Sequence, residues 1–407
     1  MLTYRQSSQN AGQVAKPRSL DDSVEQRRSP PCLVEKPQRT FAVHALNAVF
    51  LGFPVNESNL VTRRSHLADY NIATIDCSSP EFRHFAELPH VQSLNPLAPS
   101  AADVILQLGA DSLFYRHGEA RLFGCYRNGE LVGRAVASVD DRFPDPDVGH
   151  FGYFETCPEW ACAKKLMQAC EEWLREKGKK RIEGPINLNM LAGYRVQTAG
   201  FDTLAFPGEP RNPEYYPGLL DSLDYREVAR WQSWDISPLA MLGLHTIDWL
   251  QRSRRQASID SGYRIEALRP DCLEEETQKI HRLVHEIFAD NYGFSAIDLA
   301  EHVQMQGAAM DGSVKVSGAF LYHSSQCEPV GFSYGFNIDR IAILHTFGVI
   351  REHRGTGGAD LLFSFGLAEI RSLGVRRAIG ALAKEGKSKY ERIGRPARAY
   401  KIVGKDL

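Results

Sequence analysis

Between Val349 and Ala359 the chain reads Val-Ile-Arg-Glu-His-Arg-Gly-Thr-Gly-Gly-Ala. A strand-like run from Ile341 to Ile350 feeds this turn, and a helical pattern from about Gly358 to Leu373 leaves it, stopped by Gly374. Glycines let backbone approach a bulky anion closely. The first turn of a helix adds unpaired N–H groups at the positive end of its dipole. Gly355, Thr356, Gly357, Gly358 and Ala359 would supply those amides, with Arg351 and Arg354 adding charge. The chemistry this suits is the holding of a pyrophosphate. The turn is not a phosphate loop of the Lys-Ser/Thr type, and no dinucleotide fingerprint of the G-x-G-x-x-G kind follows an early strand. Tight strand-to-helix turns also use glycine for steric reasons alone, so the surroundings decide.

Those surroundings repeat. In the second half the pattern predicts a strand over Tyr263–Leu268, a helix over Leu273–Ala289, and a hairpin from Ala319–Tyr322 and Pro329–Phe336. After the loop and its helix come a strand over Val375–Leu382, a short helix over Lys387–Ile393 and a last strand over Ala399–Val403. The first half reads alike. A strand over Asn71–Asp76 precedes a hairpin of Arg121–Tyr126 and Leu131–Val139, turning at Asn128-Gly129. A strand over Gly149–Glu155 enters a helix over Cys162–Lys177, whose Leu166, Met167, Cys170 and Trp173 form an apolar stripe. Arg181–Gly184, Tyr215–Leu223 and Ala229–Asp235 then predict strand, helix and strand. Two such copies predict an α/β architecture of mixed sheets flanked by helices.

The loop resembles the acyl-CoA-binding motif of the GNAT superfamily, Q/R-x-x-G-x-G/A. Arg354, Gly357 and Ala359 fill its defined positions, and Val349 stands where that family has its strand valine. The resemblance implies that Val349 to Ala359, Ile350 included, bind acyl-CoA or an acyl-phosphopantetheine on a carrier protein, with no metal. Lys389-Tyr-Glu-Arg-Ile-Gly394 resembles the family's Y-x-x-L-G-F segment, which makes Tyr390 the acid that protonates the departing thiolate; Arg395 replaces the usual Phe. His345, on the strand where many members carry a carboxylate, is the candidate base. Strict alternation puts residues 343, 345, 347 and 349 on one face. The resemblance also implies that the fourth and fifth strands of the fold splay apart beside the thioester.

The first half lacks the loop: Glu155-Thr-Cys-Pro-Glu-Trp-Ala161 stands at its junction. Its strings Phe151–Glu155, Gly184-Pro-Ile-Asn187, Gly200-Phe-Asp202 and Asn212–Pro217 resemble a bacterial group of tandem GNAT proteins, some of whose members acylate long-chain amines. The expected organisation is a polar segment 1–40, a degenerate GNAT-like domain 41–236, a linker 237–262 and a catalytic domain 263–407. Asn187, Tyr215 and Tyr216 are candidates to line the acceptor pocket, or else a turn cap and core aromatics. The expected reaction is acyl transfer to a primary amine. A long-chain lipid amine as acceptor, and a non-catalytic CoA-binding or carrier-docking module, are the alternatives.

Composition constrains the partners. A formal net charge of −2 gives no basic surplus for nucleic acid, and eight scattered cysteines without a C-x-x-C pair argue against a disulfide framework or zinc. That usage predicts a reducing, cytoplasmic setting. No secretory signal is visible, and the apolar run Phe41–Val55 is too short to cross a bilayer, though it suits peripheral membrane contact.

Overall fold

The computed structural model describes residues 70–407 except 92–98, 204, 307–314, 339 and 387. The expectations for residues 1–40 and for Phe41–Val55 lie outside the described residues. In chain order the first half comprises β1 (Tyr70–Ile75), α1 (Pro80–Val91), α2 (Ala101–Leu108), β2 (Gly118–Arg127), β3 (Glu130–Asp140), β4 (Val148–Thr156), α3 (Trp160–Glu176), β5 (Arg181–Gly184), β6 (Val196–Ala199), α4 (Tyr216–Ser222) and β7 (Arg226–Ile236). After α5 (Pro238–Leu250) and α6 (Arg252–Asp260) the second half follows: β8 (Tyr263–Ala267), α7 (Leu273–Phe288), α8 (Leu299–Gln306), β9 (Lys315–His323), β10 (Gly331–Ile338), β11 (Ile341–Val349), α9 (Gly358–Ser372), β12 (Arg377–Lys384) and β13 (Arg395–Asp406).

All the described strands join one mixed sheet, in the order β1-β2-β3-β4-β5-β13-β7-β12-β11-β10-β9-β8, with β6 beside β13. Each half therefore surrenders its last strand. β13 lies antiparallel to β5, Val403 opposite Gly184, and β7 lies antiparallel to β12, Ala378 opposite Ile236. The two exchanged strands pair with each other from Arg395 opposite Asp235 to Gly404 opposite Arg226. The contiguous boundaries expected at 236 and 263 are thus not those of the sheet. Trp234, Tyr400, Ile402 and Val403 are buried along this seam, so separating the halves exposes core.

The segment expected as a linker is helical. Ser237 caps α5 by accepting a hydrogen bond from the Ala240 amide at 3.2 Å, and Pro238 fills the first turn. α5 buries Met241 and Leu244 against Ile236, Ala342 and Ile370, while Leu239, Leu242, Ile247, Trp249 and Leu250 are exposed. No helix among the described residues is long and apolar enough to cross a membrane. The short helix expected over Lys387–Ile393 is a single 3-10 turn, Lys389–Arg392.

Candidate functional site

The glycine-rich loop folds as the spacing requires. Ile350 leaves β11 in extended conformation, Arg351–His353 make one 3-10 turn, and Gly355 and Gly357 take positive φ before α9 begins. A Cβ on Gly357 would stand 2.3 Å from the Ser258 hydroxyl, so α6 can rest on the loop only because this residue has no side chain. A hydrogen-bond relay fixes the turn. The Gln326 amide contacts His353 Nε2 at 3.2 Å, His353 Nδ1 meets the Tyr263 hydroxyl at 2.7 Å, and that hydroxyl reaches Thr356 Oγ1 at 2.7 Å. Thr356 Oγ1 in turn donates to the His353 carbonyl at 2.8 Å. With Gln326 donating, every proton in the relay has one acceptor, and the loop is preorganised. Sequence reasoning passed over Tyr263, Gln326 and His353.

The amides of Gly355, Thr356, Gly357, Gly358 and Ala359 donate to no acceptor among the described residues, whereas the Asp360 amide bonds Gly357 O. This is a row of free donors at a helix start. Arg351 is exposed. Arg354 is exposed too, but its Nε donates back to Val349 O at 3.0 Å, tying the loop to the strand it leaves. Val349 and Ile350 are core residues beneath the loop, packed with Leu361 and Leu362.

Beside the loop the sheet opens. β11 and β12 pair in parallel from Ile341 opposite Arg377 to Leu344 opposite Gly380, and no further. On the far side β12 shifts register against β7 between Gly380 and Ala383, where Leu382 takes positive φ and donates its amide to Ser233 Oγ at 3.0 Å. Bending β12 outward in this way holds the gap apart.

Tyr390 and His345 flank the mouth of that gap from opposite faces. The Tyr390 ring lies on Gly380, where a Cβ would come within 2.4 Å, and the Ser388 hydroxyl caps its turn by accepting from the Tyr390 amide at 3.0 Å. Burial pushes the phenol up to about 12, so it stays protonated at neutral pH. Its hydroxyl has no partner among the described residues. Tyr390 also lines a mostly apolar cavity of about 80 Å³ under α9, with Leu344, Thr346, Phe363 and Leu367.

His345 is the extra residue of a β-bulge: Thr346 pairs with Tyr334 while Leu344 pairs with Gly335. The bulge overturns the expected alternation. Ile343 and His345 share one face, but beyond the bulge Phe347 and Val349 both turn to the α9 side. His345 stacks on Tyr334, centroids 5.4 Å apart, and its Nδ1 contacts Thr346 Oγ1 at 2.9 Å. Nε2 is buried beneath Gly208 of the first half, without a partner among the described residues. Burial first, and the charge of Arg195 second, lower its pKa to about 4.

The equivalent junction of the first half is closed. β4 and β5 pair only over Val148–His150 opposite Arg181–Glu183, but the chain after β5 lies back on β4. Ile186 N bonds Phe151 O at 2.7 Å, and Asn187 Oδ1 accepts from Tyr153 N at 2.7 Å. The strand end is capped by two tyrosines. Tyr216 OH accepts from Thr156 N at 2.9 Å and donates to Glu155 at 2.6 Å; Tyr215 OH donates to Thr156 O at 2.7 Å. Asn187, Tyr215 and Tyr216 thus serve this closure with the groups proposed for an acceptor, and Tyr216 is 2% exposed.

Comparison with known proteins gives this geometry a context. Residues 88–197, from α1 to β6, match the model of the acetyltransferase (GNAT) family. Over 246 residues the chain is 26% identical to a bacterial ceramide synthase of Caulobacter vibrioides, covering 58% of this chain and 62% of that protein. It is 23% identical over 186 residues to protein YghO of Escherichia coli, covering 43% and 44%. The chain thus spans less than two thirds of the length of either relative. Among solved structures, a tandem GNAT protein from the clavulanic acid biosynthesis pathway aligns over 83% of this chain and 98% of its own, at 12% identity and a TM-score of 0.47.

Proposed function

We propose that this chain is an acyltransferase of the GNAT type and that it transfers an acyl group from acyl-CoA, or from an acyl carrier protein, to a primary amine. The observation that carries the reading is the row of free amides from Gly355 to Ala359 at the mouth of the β11–β12 gap. Such a row suits the donor's diphosphate, and the gap suits the pantetheine arm that follows it. The thioester then lies where β11 leaves β12, with Tyr390 on one face and His345 on the other.

The amine nitrogen attacks the thioester carbonyl and forms a tetrahedral oxyanion. Backbone of β11 beyond Leu344, released from β12, faces that charge. On collapse the C–S bond breaks and the amide forms. Tyr390 gives its proton to the leaving sulfur, and the proton lost by nitrogen passes through His345 Nε2 to solvent. With Nδ1–H donated to Thr346, neutral His345 keeps Nε2 as an acceptor. Gly208 must move aside for the amine to reach it.

A second reading, a long-chain lipid amine as acceptor, is favoured by the relative named a bacterial ceramide synthase. It also gives a use to the side chains that α5 exposes, among them Leu239 and Trp249, since a lipid acceptor is met at a bilayer surface.

The test is thiol release from acetyl-, medium- and long-chain acyl-CoA against short and long-chain amines, with calorimetry of donor binding to the protein and to Arg354→Glu. Saturable release that needs both substrates supports transfer. Donor binding without turnover would reduce the protein to a CoA-binding or carrier-docking module. No binding of any thioester overturns the reading altogether.

A further inference from the structure

On the His345 face of the gap stands a cation with no counter-ion among the described residues. Arg195 is 7% exposed and takes positive φ, a conformation that costs a side-chain-bearing residue on the order of 1 kcal/mol or more. Its guanidinium lies 3.7 Å from the centroid of Tyr194 and 4.5 Å from that of Trp231, in the corner of two rings that meet edge-to-face at 87°. Rings attract a cation but accept no conventional hydrogen bond, and a guanidinium carries five N–H donors. Nε is buried without a partner, and no carboxylate among the described residues pairs with the group. The neighbouring arginines differ: Arg398 Nε stands 2.8 Å and Arg211 Nε 3.5 Å from Glu209. A desolvated cation left unpaired is costly, and buried charges are ordinarily paired.

The position makes this a feature of the acceptor side. Arg195 follows the segment that closes the first half's own gap, and it projects to Trp231 on β7, the strand next to β12. Phe206, Ile343 and Leu382 form the apolar wall beside it, and His345 Nε2 is a second buried nitrogen there without a partner among the described residues. We infer that Arg195 anchors an anionic group, a carboxylate or a phosphate ester, carried by the acceptor a few bonds from its amine. The assignment rests on the acyl-transfer reading for the word acceptor, but the anion site itself does not. The rings of Tyr194 and Trp231 hold the guanidinium from two sides, leaving its remaining N–H groups for an oxyanion, and the amine is then set toward His345 by its distance from them.

Two measurements test it on the full chain. In the first, phosphorus-NMR line broadening reports binding of inorganic phosphate to the wild type, Arg195→Gln and Arg195→Lys. Loss of a charge-assisted pair predicts weakening of about 10- to 100-fold for Gln and partial rescue by Lys. In the second, kcat/KM is compared for ethanolamine, O-phosphoethanolamine, β-alanine and a neutral long-chain amine. The anionic amines should lead ethanolamine by about 10-fold or more, a ratio that collapses in Arg195→Gln through KM. Equal phosphate binding by all three proteins, or a ratio indifferent to Arg195, overturns the inference. If no amine turns over while phosphate binding still falls with Gln, the anion site stands and the acyl-transfer reading fails instead. Should Arg195→Gln not fold, the Lys variant and the wild-type ratio decide.

Discussion

The two strand-to-helix junctions share a topology and differ in what fills it. After β11 stand two glycines at positive φ, five free amides and an open gap. After β4 stand Pro158, a pair of tyrosines bonded to the strand end, and a return of chain onto β4 that leaves no gap. One half spends its hydrogen bonds on itself, and the other leaves them unspent. The difference teaches that a fold is made ready for a ligand by what it leaves unsatisfied, since buried polar groups without partners are otherwise selected against. It follows that substitutions on the β11 side act on turnover and on donor affinity, and those on the β4 side act on stability.

The largest effect falls on Tyr390. Tyr390→Phe keeps the ring on Gly380 and removes only the proton donor, so kcat falls about 100-fold or more while the donor Kd holds. Single-turnover kinetics separate the two. A kcat within a few-fold of wild type would leave solvent as the acid and break the asymmetry between the halves at its catalytic end.

Next comes pH, through one buried histidine from each side. His150 on β4 and His345 on β11 are both held neutral by burial, their pKa lowered from 6.5 to about 4. The unfolded chain takes up those protons near 6.5 and the folded chain resists until 4, so stability is whole above 6.5 and is lost as pH falls from 6.5 toward 4. Each site contributes on the order of 2–3 kcal/mol to that loss. Urea midpoints across this window should flatten in His150→Phe and in His345→Phe alike, but only the second variant should also lose acyl transfer. Transfer lost equally in both would make the first half more than a scaffold.

Tyr216→Phe should act by a smaller amount and in the other currency. It leaves the Thr156 amide without its acceptor and costs about 1–3 kcal/mol, visible in Tm, with donor affinity unchanged.

Much of this contrast was legible in the sequence. The strand–loop–helix at Val349–Ala359 announced itself because its glycines, arginines and flanking periodicity are local signals, and so did the missing loop at Glu155–Ala161. The exchange of β7 and β13 was not, because both strands read as ordinary C-terminal strands and nothing local says which half they complete. The bulge at His345 escaped for the same reason: one added residue in β11 leaves the apolar pattern almost intact while turning Phe347 and Val349 to the other face. Helices α5 and α6 were hidden by their exposed apolar residues and their arginines, which read as linker. Arg195 carries no sequence signal at all. Its meaning lies in Tyr194 and Trp231, which meet it only in the fold.

The smallest effect sharpens the comparison most, because it holds the local chemistry constant. Gly355 in the loop and Gly178 after α3 both take positive φ, +81° and +75°, and a Cβ on either would meet nothing within 4 Å. Replacing each by alanine therefore introduces the same backbone strain and no clash, a cost of about 1 kcal/mol in either place. Melting should show two nearly equal shifts. Donor affinity should not: Gly355 presents one of the five free amides, and tilting that peptide weakens acyl-CoA binding a few-fold, whereas Gly178 only ends a helix in the half whose junction is already closed. Calorimetry with a single thioester on the two variants, beside the wild type, reads this directly. Equal affinities would mean that the amides of the loop do not hold the donor, whatever their geometry suggests.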